Sequence, residues 1–272
     1  MSGAQPLGPT GPADPAGPGP SAARGVLEDE PLPPFLHGLA ARAAAGDDRL
    51  GEALRPVPED WDPRRSAVLL LIAGRTPQEA RLVIEERGHR MRSQPGQFAL
   101  PGGGMEPGDA DPCQTALREA REEIGLKPEA VRVLGAFAPI ALPWRSQAVH
   151  PVLAWAPTLP SLHRADPFEV ERIETPLLCG PGSLTDPACR FLGTFDGEAV
   201  GPVFDLEGGC FVWGFTAMLI EHTLRGLGLA PADTAADAAR SADATGASPS
   251  APPRIEIPAE RRRDSARRPR SR

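Results

Sequence analysis

The chain has 272 residues, 40% of them apolar, with 34 prolines, 29 glycines and a formal net charge of −7. That apolar content can build a core, while the longest apolar stretch, residues 67–73, is far too short to cross a bilayer as a helix. No basic N-terminus followed by an apolar run opens the sequence, so the expectation is a cytoplasmic protein with no membrane partner.

Composition changes sharply at both ends. Residues 1–34 are rich in Pro, Gly and Ala, and residues 230–272 in Ala, Asp, Ser, Pro and Arg, so both are expected to be disordered tails around a single domain of residues 35–229. Within the second tail, residues 254–272 hold eight arginines against three acids, a local +5 that leaves −12 for everything before it. A basic end can touch nucleic acid, but no aromatic residues are interleaved to stack on bases, so nucleic acid is not an expected partner. Cys113, Cys179, Cys189 and Cys210 show no Cys-x-x-Cys spacing, which argues against a zinc site or a disulfide framework.

Phe35, Leu36, Leu39, Ala40 and Ala43 recur at helical spacing and end at Gly46, predicting a first helix. Residues 66–73 are too short for a typical helix and too continuously apolar for a surface strand; they predict a buried strand, with residues 80–85 as the next. Residues 87–104 form a loop that feeds a helix started by Asp111 as cap and Pro112 at the first helical position. Residues 131–140 and 149–155 predict strands flanking a turn at 143–147. Residues 213–225 predict a closing helix ended by Gly226 or Gly228. Strands interrupted by helices indicate a mixed α/β sandwich.

The run from Arg118 to Gly125 carries the chemistry. At about 100° per residue, Glu119, Glu122 and Glu123 share one arc of the helix, beside an apolar arc of Ala116, Leu117, Ala120 and Ile124 that faces a core. An isolated Glu-x-x-Glu-Glu is most simply a solvated face paired with Arg118 and Arg121. The residues before it favour a site instead. Pro101, Gly102, Gly103 and Gly104 let backbone N–H groups approach a phosphate, and three carboxylates suit a hard divalent ion such as Mg²⁺ or Mn²⁺.

Gly103, Asp109, Arg118, Glu119, Glu122, Glu123, Gly125 and Leu126 together resemble the Nudix hydrolase box. Two departures stand out: Asp replaces Glu at 109, and eight residues rather than seven separate it from Arg118, so strict spacing puts Ala110 at the acidic position. Upstream, Arg87, Arg92, Gly96 and Pro101 to Gly103 are similar to the signature of the coenzyme A pyrophosphatase branch, with Gly88 and Leu100 departing from it. Thr115 to Ala120, Val149 to Val152, Thr175 to Leu177 and Val212 to Ala217 resemble further segments of that branch.

The resemblance implies a Nudix-type α/β/α sandwich with a mixed sheet, and hydrolysis of the diphosphate of coenzyme A or acyl-coenzyme A. Glu119, Glu122 and Glu123 would hold Mg²⁺ or Mn²⁺, with Arg118 orienting a glutamate by an ion pair. Glu123, Glu122 and Arg118 form the expected catalytic set, Glu123 being the first choice of general base and Glu169 a weaker one. Arg87 and Arg92, whose guanidinium groups suit phosphate, join Gly96, Gly102 and Gly103 as expected substrate contacts. His89, His150 and His163 are not spaced as a metal set, and Trp213 and Phe215 read as core. Two other readings stay open: another diphosphate substrate such as ADP-ribose or a nucleoside triphosphate, and a nucleotide-binding module without catalysis.

Overall fold

The computed structural model describes Leu27 and residues 29–47, 62–230 and 252–262. In chain order, α1 (His37–Ala44) precedes β1 (Arg64–Ala73), β2 (Arg81–Leu82), β3 (Ile84–Arg87), β4 (Phe98–Ala99) and β5 (Gly102–Gly104). Then come α2 (Pro112–Ile124), β6 (Arg132–Ala136), β7 (Ile140–Leu142), β8 (Gln147–Ala156) and β9 (Val170–Glu174). The last elements are β10 (Arg190–Phe195), β11 (Glu198–Leu206), β12 (Cys210–Val212), α3 (Gly214–Gly226) and β13 (Arg254–Glu256).

β1 and β8 run parallel along their full lengths. Antiparallel β2 and β5 share the outer edge of β1, and β6 and β7 the outer edge of β8, which makes a mixed sheet of six strands. Side chains alternate across a strand, so Ala67, Leu69, Leu71 and Ala73 pack with Ala116, Ala120 and Ile124 of α2. Leu70 and Ile72 join Leu39 of α1 and Ala217, Ile220 and Leu224 of α3 on the other face. Burial on both faces is why residues 67–73 of β1 are apolar without a break. The result is the α/β/α sandwich that the sequence predicts.

Several expectations need correction. Residues 80–85 do not make one strand: β2 pairs with β1, whereas β3 leaves that sheet to pair with β4 and β9. Val83 sits at the changeover, its N–H donating to the Leu71 carbonyl at 3.1 Å. Residues 87–104 are not all loop, since they contain β4 and β5. Residues 131–140 divide into β6 and a separate β7. Strands β9 to β12 lack a sustained local pattern, since β9 alternates charge, Gly193 and the Gly201–Pro202 pair interrupt β10 and β11, and β12 has three residues; β10 to β12 form a second sheet with β13.

The tails are corrected in part. Residues 252–262 belong to the folded unit, because β13 pairs in parallel with β10 and Ile257 is fully buried. Glu256 accepts from Thr194 Oγ1 at 2.5 Å and from the Asp196 N–H at 2.9 Å. At the other end, Glu30 forms an ion pair with Arg75 and Leu32 packs on the core. The expectation of disorder for the rest of both tails lies outside the described residues. Among those described, no helix is long and apolar enough to cross a membrane.

Candidate active site

The acidic helix starts and stops where its caps dictate. The Asp111 carboxylate accepts from the Gln114 N–H at 2.9 Å, Pro112 takes the first position, and Gly125 closes the helix at φ +65°. Ala116, Ala120 and Ile124 are fully buried against β1, which turns Glu119 and Glu123 toward the glycine strand β5.

β5 meets these acids with backbone. Gly102 donates its N–H to Glu123 Oε2 at 2.8 Å. A Cβ on Gly103 would lie 2.4 Å from Glu119 Oε1, so glycine alone lets that carboxylate rest against the chain. Glu123 is 3% exposed, and burial raises its carboxyl well above the ordinary range, with repulsion from Glu85 adding to the shift. Burial raises Glu119 as well, against the opposing pull of Arg118.

Arg118 is the hub of the outer side. Its Nε and Nη2 grip Asp109 at 3.1 and 3.0 Å, Nη1 donates to Glu119 and Glu122 at 3.0 Å each, and Nη2 reaches the Gly104 carbonyl at 2.9 Å. Asp109 therefore has a definite place despite the spacing that pointed to Ala110. A tight turn, with the Glu106 N–H on Asp109 Oδ2 at 2.9 Å, absorbs the extra residue. The hydrogen bonds from Arg118 hold the Asp109 carboxyl far below its usual range. Glu122 is half-exposed at the rim.

Among the described residues, no three His, Cys, Asp or Glu side chains converge into a ready-made ion cage. The expected trio of Glu119, Glu122 and Glu123 is thus adjacent but not convergent. The physical reason is that Arg118 lies between Glu119 and Glu122, while Glu123 is turned to the Gly102 N–H.

Glu85, on β3, is a residue that sequence reasoning missed. It is fully buried, neither carboxylate oxygen has a hydrogen-bond partner, and it lies within electrostatic reach of Glu119, Glu123 and Glu169. Burial pushes its carboxyl up, Arg87 opposes, and Glu169 and Glu119 reinforce. The signal was alternation: Glu85 and Glu86 are consecutive in a strand, so one of them had to face inward. Buried, mutually repelling carboxylates, one of them wholly unpartnered, offer the hard oxygen donors that a divalent cation takes.

The remaining expected residues distribute as follows. Arg87 follows Glu85 by two positions on β3 and influences both buried acids electrostatically; its Nε is buried without a partner. Arg92 is exposed, and no direct contact ties it to the acids. Gly96, at φ +67°, turns the loop back so that its N–H reaches the Arg87 carbonyl at 2.9 Å, with the His89 ring packed where a Cβ would be. Its position is that of a left-handed turn in the loop. Glu169 is half-buried, and its carbonyl accepts the Gly88 N–H at 2.6 Å. His163 covers Gly125, at the far end of α2.

A glycine strand facing a row of glutamates, with an arginine keyed into both, defines a class of phosphoanhydride hydrolases. Comparison with known proteins agrees. A family model described as the NUDIX domain matches residues 63–177. The chain is 32% identical over 202 residues to a protein of Escherichia coli K12 described as "Uncharacterized Nudix hydrolase NudL", a match covering 70% of this chain and 98% of that one. Against NudL of Klebsiella pneumoniae it is 39% identical over 145 residues, covering 51% and 73%. Among solved structures, the Mycobacterium smegmatis Nudix hydrolase RenU matches with a TM-score of 0.36 and 26% identity, over 43% of this chain and 72% of that one. The chain belongs to the Nudix hydrolases and is a pyrophosphatase of that family.

Proposed function

We propose that the protein hydrolyses the diphosphate of coenzyme A or acyl-coenzyme A, giving 3′,5′-ADP and 4′-phosphopantetheine or its acyl form. The observation that carries this reading is the junction of the signature loop with the acidic helix: Arg87 and Glu85 stand two apart on β3, and the loop ends in the Gly102 N–H bonded to Glu123. Substrate recognition and hydrolytic chemistry meet along one seam.

Glu119, Glu122 and Glu123 are the proposed ligands of Mg²⁺ or Mn²⁺, which supplies charge neutralisation for the phosphate oxygens and acidifies a bound water. Arg118, clamped by Asp109, keeps Glu119 and Glu122 apart and oriented. Glu123 is the proposed proton acceptor from the attacking water, its burial giving the carboxylate more basicity than an exposed one. Glu169 is the alternative acceptor. The Gly102 N–H is held by Glu123, and the missing side chains at Gly102 and Gly103 leave room for a substrate phosphate to approach the backbone of β5. Arg87 takes a substrate phosphate, and Arg92 reaches the 3′-phosphate from the exposed part of the loop.

The test is product analysis with coenzyme A, ADP-ribose and nucleoside triphosphates, each with Mg²⁺ or Mn²⁺. Chromatography is expected to show 3′,5′-ADP and 4′-phosphopantetheine, with coenzyme A the fastest substrate. Much faster turnover of ADP-ribose or a nucleoside triphosphate would reassign the substrate and leave the hydrolytic chemistry standing.

A further inference from the structure

β3 carries two consecutive glutamates with opposite fates. Glu86 faces away from α2 and is satisfied, with Arg172 Nε donating to its Oε2 at 2.5 Å. Glu85 faces the acidic helix and is not: it is fully buried and both of its oxygens lack a partner. The strand cannot turn it out to water, because the residue pairs with Ala99 of β4 on one side and Ile173 of β9 on the other. Val83 and Ile84, just before it, are themselves fully buried.

A structural acid would resolve this in one of two ways. As a carboxylate it would take an ion pair, yet Arg87, the neighbouring cation on the strand, makes no hydrogen bond to it and leaves its own Nε unpartnered. As a neutral acid it would donate its proton to an acceptor, and neither oxygen has one. What Glu85 does have nearby are the carboxylates of Glu123, Glu119 and Glu169. A buried acid with no donor of its own, within electrostatic reach of carboxylates on the facing helix, matches the coordination chemistry of a hard dication.

We propose that Glu85 is a ligand of the divalent cation, contributed from strand β3 opposite the acidic helix, so that the ion is held between β3 and α2. This rests on the metal-dependent reading of the site given above. It also gives the ion a structural consequence, since it would tie the small β4–β3–β9 sheet, and with it the signature loop, to the main sandwich.

The test measures Mn²⁺ binding to the full-length protein without substrate, by titration calorimetry and by the electron paramagnetic resonance signal of free Mn²⁺. Wild type, Glu85→Gln, Glu85→Asp, Glu119→Gln and Glu123→Gln are compared. Glu85→Gln is expected to bind at least about tenfold more weakly or to lose one ion, and Glu85→Asp to fall between it and wild type. Without metal, Glu85→Gln should melt at or above the wild-type temperature, because an acid buried beside other carboxylates has become a neutral amide, and Mn²⁺ should raise its Tm less. Wild-type affinity and stoichiometry in Glu85→Gln, with binding weakened in Glu119→Gln and Glu123→Gln, would overturn the role of Glu85 alone. Unchanged binding in all three Gln variants would overturn the metal site itself. Should Glu85→Gln fail to fold, Glu85→Asp decides: weaker Mn²⁺ binding supports the assignment, and unchanged binding overturns it.

Discussion

Gly102 and Gly103 are neighbours in β5, yet they are glycines for different reasons. Gly102 sits at φ +156°, and a Cβ there would fall 2.2 Å from the Ala67 carbonyl oxygen, a backbone atom of the paired strand. Gly103 has no positive φ, and its Cβ would meet only the end of the Glu119 side chain. Gly102→Ala should therefore strain the β1–β5 pairing and lower Tm clearly. Gly103→Ala should leave Tm near wild type while displacing the Glu119 carboxylate. A shift on the order of 1 Å in a reacting group can cost roughly a hundredfold in rate, so a fall of about ten- to a hundredfold in turnover is expected for Gly103→Ala. Melting curves beside rate measurements check both outcomes; a large Tm loss in Gly103→Ala would mean that the residue serves the fold and not the site.

At the scale of elements, legibility followed the strength of local physics. α2 could be read almost to the residue, because Asp111, Pro112 and Gly125 are specific capping signals and its apolar and acidic arcs have helical spacing. β1 was legible through its unbroken apolar run. β3 was legible only at its start, inside the predicted strand of residues 80–85, since Glu85, Glu86 and Arg87 carry no strand pattern; pairing with β4 and β9 makes Ile84–Arg87 a separate strand and buries Glu85. Arg118 as an ion-pair residue could be foreseen from spacing, whereas its bidentate grip on Asp109 needed the turn at Glu106 to be seen. β13 was hidden for another reason: Ile255 and Ile257 are isolated apolar residues in a charged segment, and their value comes from the sheet they join, which no local window contains.

For the whole molecule, that last point alters where the protein can be cut. Reading residues 1–34 and 230–272 as disordered tails predicts that a protein of residues 35–229 keeps its hydrolysis largely unchanged. The structure leads to a different expectation. Losing β13 uncovers β10 and removes Ile257 from its contacts with the β10–β11 sheet, a loss of roughly 2 to 4 kcal/mol from one large buried side chain and its neighbours. Tm should fall by about 5 to 10 °C. The cut also removes the Arg261 carbonyl that accepts from Gln97 Nε2 at 3.0 Å, inside the signature loop, so KM should rise more than kcat falls. Calorimetry and steady-state kinetics on a chain ending at Ala230 check this, and a wild-type Tm and KM would show that the segment is passive.

The proposed chemistry rests on Glu119 and Glu123 acting through a bound divalent ion and not as a solvated helix face. Turnover of Glu119→Gln and Glu123→Gln across an Mg²⁺ and an Mn²⁺ titration, with circular dichroism as the folding control, tests it most directly. An ion that neutralises the transferring phosphate contributes several kcal/mol, so each substitution should lower turnover by at least about a hundredfold in a folded protein. If the acids form only a charged surface, each swap relieves like-charge repulsion and leaves catalysis intact. Near-normal turnover at limiting metal in both variants would contradict the account.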